Sequence, residues 1–367
     1  MYQPYQDPAY GTAARREPAL NLTRRDAMVG AGAALFVSMA GAGLGASEAM
    51  AEAPPAPSDR VTVERVTFKN RIAIDLAGDL YVPRGIDRSR KYRAIVVGHP
   101  FGGVKEQTAG LHAQKLAELG YVTLAFDASF YGDSGGQPRN IEVPEIRVED
   151  YNAAVDFLSN HPLVDADRIG VLGICGGGIY AVNAAQIDPR IKALATISMF
   201  DVGRLRREGL RDVLPRNYQE RMKVYEEYSA QRTKDFADGD VRYVNAIQDS
   251  WKDADKEILR QYYDYYRNPA RGALPNSKNE YSFTSMGPMM NFVAFTQIET
   301  ISPRPLLFIV GDRASSAYFS EDAYSKAAEP KELFVVPDAQ HFDLYDKPEC
   351  LAVTLPKLNE FFSAHLA

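Results

Sequence analysis

The chain has 367 residues, enough for one large domain or two smaller ones, and its 46% hydrophobic and 25% charged content is that of an ordinary soluble globular protein. A net charge of −6 argues against a nucleic-acid partner, which calls for a basic face. Two cysteines, Cys175 and Cys350, exclude a disulfide framework.

The first 58 residues read as an export signal and a linker. Residues 22–26 are Leu-Thr-Arg-Arg-Asp, and an uncharged, Ala- and Gly-rich run covers 28–46. A small-residue cleavage pattern follows at Ala49-Met50-Ala51, then a Pro-rich stretch at 53–58. Paired arginines before a weakly apolar core match a twin-arginine signal, so the expected location is the periplasm or the exterior. The run is long enough to span a bilayer, but its composition disfavours spanning, so no stable membrane insertion is expected after cleavage. Twin-arginine cargo crosses already folded, a route compatible with a free thiol at Cys175.

Residues 61–68 and 71–81 alternate as strands do and pair as a hairpin. Short, nearly continuous apolar runs follow at 94–98, 121–126, 168–173, 193–199, 305–310 and 332–336. Such runs are strands buried on both faces, as in a parallel sheet. Helical patterns separate most of them, at 108–119, 148–159, 179–186, 320–328 and 351–366. Strand–helix alternation of this kind defines an α/β class with a mostly parallel, doubly wound sheet. Residues 202–302 interrupt the rhythm: they are polar and tyrosine-rich, with helical spacing at 219–232 and 253–266. They read as a mostly helical cap inserted into a core formed by 59–201 and 303–367.

The strand at 168–173 runs directly into Ile174-Cys175-Gly176-Gly177-Gly178. Gly-x-nucleophile-x-Gly between a strand and a helix is a nucleophile elbow, here with cysteine for serine. Small neighbours are needed because the nucleophile occupies a strained turn. The following helix N-terminus offers the Gly176 N–H to a developing oxyanion and is expected to lower the thiol pKa. A buried structural cysteine beside a Gly-rich turn is the plainer alternative. A phosphate-binding loop is disfavoured because no Lys-Ser/Thr pair follows.

Of five histidines, His341 lies just after the last strand, where the order nucleophile, acid, histidine places a base. His161, His112 and His365 read as structural or terminal. Gly98-His99-Pro100-Phe101-Gly102-Gly103 is similar to the His-Gly-x-Gly loops of esterases. Pro100 has no N–H, so Phe101 is the expected second oxyanion donor, with Gly102 as substitute; His99 is held to a structural role. The acid is expected at Asp312, with Asp201 and Asp322 as alternatives. Glu321 and Asp322 also suit the opening of a helix.

Together the segments 98–103, 126–129, 131–136, 173–178 and Gln340-His341-Phe342-Asp343 resemble the α/β-hydrolase superfamily, nearest its dienelactone-hydrolase-like and polyketide-transferase-like branches. The resemblance spans nearly the whole chain after the linker and implies the α/β-hydrolase fold, with Cys175 as nucleophile and His341 as base. It departs from the relatives' Gly-x-x-Asp pattern, which would put the acid at position 314, where Ala314 stands. The chemistry implied is attack on an activated small-molecule acyl compound, an ester, lactone or thioester, with no cofactor or metal. Transfer of the acyl group to an alcohol or amine is the alternative, and a binding protein on an inactive scaffold the third reading. Thiolate is a good leaving group, so an amide adduct would tend to expel sulfur again; a reactive acyl donor is expected.

Overall fold

The computed structural model describes residues 58–212, 218–239, 241–247 and 257–367; the export signal expected before residue 58 lies outside the described residues. Eight strands form one sheet in the order β1-β2-β4-β3-β5-β6-β9-β10. They are β1 (Val61–Lys69), β2 (Asp75–Pro83), β3 (Tyr92–Gly98), β4 (Val122–Phe126), β5 (Val164–Ile174), β6 (Ile191–Ile197), β9 (Leu306–Gly311) and β10 (Lys331–Val336). The β1–β2 and β2–β4 pairs are antiparallel and every other pair is parallel, so the sheet is mostly parallel as expected.

The central strands are buried along nearly all their length because helices cover both faces. Helices α1 (Thr108–Glu118), α2 (Pro144–Ser159) and α3 (Gly176–Ile187) follow β3, β4 and β5. Helix α2 packs on α3, and α1 packs on the long C-terminal helix Pro348–His365, which gives two helical layers around the sheet. Small residues make the layers close. A Cβ on Gly173 would lie 2.7 Å from Gly178 Cα and 2.8 Å from the Ala181 methyl, so strand β5 and helix α3 meet at glycine.

Between β6 and β9 lie the helices α4 (Val202–Glu208), α5 (Tyr218–Asp238), α6 (Glu257–Tyr266) and α7 (Met286–Asn291). A two-stranded ladder, β7 (Tyr243–Asn245) with β8 (Glu280–Ser282), accompanies them. Three residues per strand are too few for alternation to show, so this ladder leaves no periodic trace in the sequence. The insertion is seated on the loops at the C-terminal ends of β3 and β4. Gln107 donates to Gly272 O, Asn279 Nδ2 donates to Gly102 O at 3.1 Å, and the Thr108 N–H donates to the Tyr265 hydroxyl at 3.1 Å. The last helices, α8 (Ala317–Lys326), α9 (Asp343–Asp346) and α10 (Pro348–His365), follow β9 and β10. No helix among the described residues is long and apolar enough to cross a membrane.

Candidate active site

Cys175 stands between β5 and α3 with φ 54° and ψ −124°, a conformation that L-residues rarely adopt. The turn is over-determined by backbone bonds: Cys175 N–H donates to Ile197 O at 2.9 Å, and its carbonyl accepts from Gly178 N at 2.9 Å and Phe200 N at 3.0 Å. Strain held this firmly fixes the direction of the side chain. The backbone N–H groups of Gly176 and Phe101, which the sequence offers as oxyanion donors, lie close enough to the sulfur to favour its thiolate. These donors come from different loops but are adjacent, since a Cβ on Gly176 would sit 3.1 Å from Phe101 N.

The loop carrying Phe101 is braced from behind. His99 donates from Nδ1 to Pro100 O at 2.7 Å and accepts the Ala128 N–H on Nε2 at 3.1 Å. Burial and the Arg147 guanidinium keep its imidazole neutral, which suits a structural role. The Asp127 carboxylate, in the 126–136 segment, accepts from Lys105 N at 2.7 Å and Asp133 N at 2.9 Å. Glu106, Asp127 and Asp133 gather their carboxylates closely enough for a metal ion, but the Lys105 ammonium bonds all three. The cluster is thereby an ion-pair knot between two loops.

His341 is buried, and its ring is surrounded by Phe200, Tyr262, Phe342 and Tyr345. Nε2 lies 3.0 Å from the Tyr345 hydroxyl, which is also near the Cys175 sulfur. Nδ1 lies 2.6 Å from Ser316 Oγ. The backbone of His341 is tied through its carbonyl to Ser198 Oγ at 2.9 Å.

The acid expected at Asp312 is not there. Strand β9 ends in a tight turn, with Arg313 N–H on Ala339 O and Ala314 N–H on Gly311 O, both at 3.1 Å. A Cβ on Gly311 would fall 2.1 Å from Ala339 O, so the chain passes too close for a side chain to turn inward at that point. Asp312 is left exposed, and Ser316 takes the place beside Nδ1. The alternatives are also occupied elsewhere. Asp201 caps α4 by accepting Arg204 N–H at 2.8 Å, and Asp322 pairs with Arg204 and Lys326. Glu321 and Asp322 lie in mid-helix, because α8 begins at Ala317. Among the described residues, the His341 ring nitrogens meet the hydroxyls of Ser316 and Tyr345 and no carboxylate.

The electrostatics also depart from expectation. Burial pushes the Cys175 thiol up to about 11, against the smaller lowering pull of its hydrogen bonds from Tyr345, Gly176 and Phe101. Burial drives His341 down to about 3. The helix N-terminus does help the thiolate, but the phenols of Tyr262, Tyr266 and Tyr345 surround the sulfur and desolvation wins. Both reactive groups therefore rest neutral at pH 7.

Tyr345 and Ser316 escape a sequence reading. Tyr345 lies four residues after His341, but His341 precedes α9, so no helical spacing signals the pair. Ser316 is 25 residues from His341 and no local pattern joins them.

A strained cysteine elbow, two converging backbone donors and a histidine after the last parallel strand define the α/β-hydrolase superfamily. The chain belongs to it and is an enzyme of the hydrolase class. Its residues 78–200 match the dienelactone hydrolase family, and 146–259 match the C-terminal family of BAAT and acyl-CoA thioester hydrolases. An uncharacterized protein of Pseudomonas aeruginosa is 47% identical over 314 residues, 84% of this chain and 82% of its own. The crystal structure of a Pseudomonas aeruginosa hypothetical protein superposes with a TM-score of 0.80 at 45% identity, covering 84% of this chain and 95% of that one. The thiohydrolase aneE of Aspergillus aculeatus is 31% identical over 164 residues, 45% of this chain and 50% of its own. The acyltransferase drtE of Aspergillus calidoustus is 24% identical over 311 residues, 83% of this chain and 95% of its own.

Proposed function

We propose that the enzyme cleaves an activated acyl compound, an ester, lactone or thioester, through an acyl–Cys175 intermediate. The observation that carries this is the convergence of the Gly176 and Phe101 N–H groups on the sulfur of a positive-φ turn. A carbonyl carbon delivered to that sulfur would bring its oxygen to the same two donors, where charge develops in the tetrahedral state. His341 acts as the base. Its Nδ1 is oriented by Ser316, so the group is a cysteine, a histidine and a serine rather than a triad ending in a carboxylate. The neutral resting pair means that the thiol is deprotonated as it attacks, not beforehand.

Acyl transfer is the second reading, favoured by the enclosure of the sulfur. Cys175 is 3% exposed among aromatic rings, which disfavours water as the acceptor. The twin-arginine pair at Arg24 and Arg25 supports export of the folded enzyme. Cys175→Ala tests the main reading: it is expected to abolish turnover of p-nitrophenyl butyrate, and intact mass should show an acyl adduct on wild type only. Full turnover by Cys175→Ala would end the proposal. Added alcohol or amine that diverts product from the free acid would select transfer over hydrolysis.

A further inference from the structure

We propose that Tyr345 is a third catalytic group, whose phenol carries the proton from Cys175 Sγ to His341 Nε2 as the sulfur attacks. The inference rests on the reading of Cys175 as nucleophile. Its own ground is a contact pattern that neither the family nor the elbow requires. One hydroxyl lies 3.0 Å from the nitrogen of the base and close enough to the buried sulfur to favour its thiolate.

The position of that hydroxyl is fixed from several sides. Tyr345 is fully buried, and its ring packs edge-on against Tyr265 and Phe342, each at 4.9 Å. Its backbone carbonyl accepts Thr108 Oγ1 at 3.0 Å, and its N–H donates to Phe342 O at 3.2 Å. A residue needed only to fill this space would be served by phenylalanine. A residue that accepts from one partner while donating to another must carry a hydroxyl, and a phenol does both at once.

The step balances within these residues. The Cys175 S–H proton passes to Tyr345 Oη as the Tyr345 O–H proton passes to His341 Nε2. The sulfur electron pair forms the bond to the acyl carbon, and the carbonyl π pair moves onto oxygen, held by Phe101 and Gly176 N–H. The imidazolium that results keeps Nδ1–H on Ser316 and Nε2–H on the tyrosine oxygen. Collapse of the adduct breaks the bond to the leaving group while sulfur stays bound to the acyl carbon; His341 Nε2 returns its proton to Tyr345 Oη as the Tyr345 O–H proton passes to the departing atom. Tyrosine ends as it began, neutral, so no isolated phenolate forms in a site where burial holds the phenol strongly protonated.

The test compares the full chain with Tyr345→Phe on two readouts, hydrolysis of p-nitrophenyl butyrate and alkylation of Cys175 by iodoacetamide. Tyr345→Phe should lower turnover by about 10²-fold or more and slow alkylation. The rate in mixtures of light and heavy water should bow for wild type, two protons being in flight, and become linear for the variant. Turnover within about threefold of wild type, an unchanged dependence on heavy water, or faster alkylation would overturn the relay. If Tyr345→Phe does not fold, 3-fluorotyrosine at 345 keeps the shape and acidifies the phenol; a rate that ignores the fluorine would equally overturn it. Cys175→Ala run in parallel separates the two readings. An active Cys175→Ala ends the nucleophile proposal, whereas an inactive one beside an active Tyr345→Phe ends the relay alone.

Discussion

Ser316→Ala removes the hydroxyl beside Nδ1 and leaves the backbone of α8 unchanged, so its effect tests the proposal that this hydroxyl orients His341 as base. Ser316 Oγ lies 2.6 Å from His341 Nδ1 in a buried setting. If Nε2 is to receive a proton, Nδ1 must already carry one and give it to Ser316. Without that acceptor, the reactive tautomer holds an orphaned buried N–H, which costs about 1–3 kcal/mol. The imidazole can escape by moving its proton to Nε2, but from there it no longer accepts from Tyr345. The same 1–3 kcal/mol is then added to the barrier, and at about 1.36 kcal/mol per decade turnover falls roughly 5- to 150-fold. Asp312→Asn serves as the counterpart and should leave turnover within about threefold, since that side chain is exposed. Steady-state hydrolysis of p-nitrophenyl butyrate, with thermal midpoints to show that both variants are folded, decides between them. A normal Ser316→Ala beside a crippled Asp312→Asn would refute the assignment and restore the carboxylate.

Gly177→Ala would place a Cβ 2.6 Å from His99 O and 3.0 Å from Gly98 O, both backbone atoms that cannot yield separately from the oxyanion loop. It should cost about 1–3 kcal/mol of stability by urea unfolding and reduce turnover in whatever fraction folds; a variant as stable as wild type would count against the packing described. His112 is buried with its pKa pushed down to about 4, so between pH 6.5 and 4 the unfolded chain binds a proton that the folded one refuses. Its contribution is therefore whole above pH 6.5 and lost as pH falls: about 2 kcal/mol of the wild-type loss between pH 7 and 5 should vanish in His112→Gln, and equal pH slopes would contradict this. Replacing Arg24 and Arg25 with lysine should leave the precursor unprocessed inside the cell, as read by fractionation and immunoblot; normal export would remove the twin-arginine reading.

The parts of this molecule that were legible beforehand are those specified by neighbours in sequence. Runs such as Leu306–Gly311 are apolar throughout because both faces of the strand are covered, and that shows in composition alone. The elbow is equally local, since strain at Cys175 demands glycine beside it. Phe101 stands out because the proline immediately before it has no N–H to offer. Contacts between distant segments were not legible. Ser316 meets His341 only because the β9 turn and the loop after β10 pass side by side, which forces Asp312 outward. The direction of the thiol shift failed for a related reason. A helix N-terminus is a local feature and favours the thiolate, but desolvation sums over every atom that surrounds the sulfur. Tyr262 and Tyr266 belong to the insertion, whose seating depends on pairs such as Asn279 with Gly102.

Enclosure of the sulfur also bears on its life between encounters with substrate. Burial pushes the Cys175 thiol up to about 11, so at pH 7 the sulfur is held as S–H. The thiolate is the form that attacks peroxides and disulfides, so a sulfur kept as S–H is nearly inert toward them. Cys350 is buried too and its thiol is likewise pushed up. The protein therefore stands far from the profile of a redox sensor, in which an exposed, acidic cysteine is poised for oxidation. It should keep its activity through prolonged storage in air without added reductant.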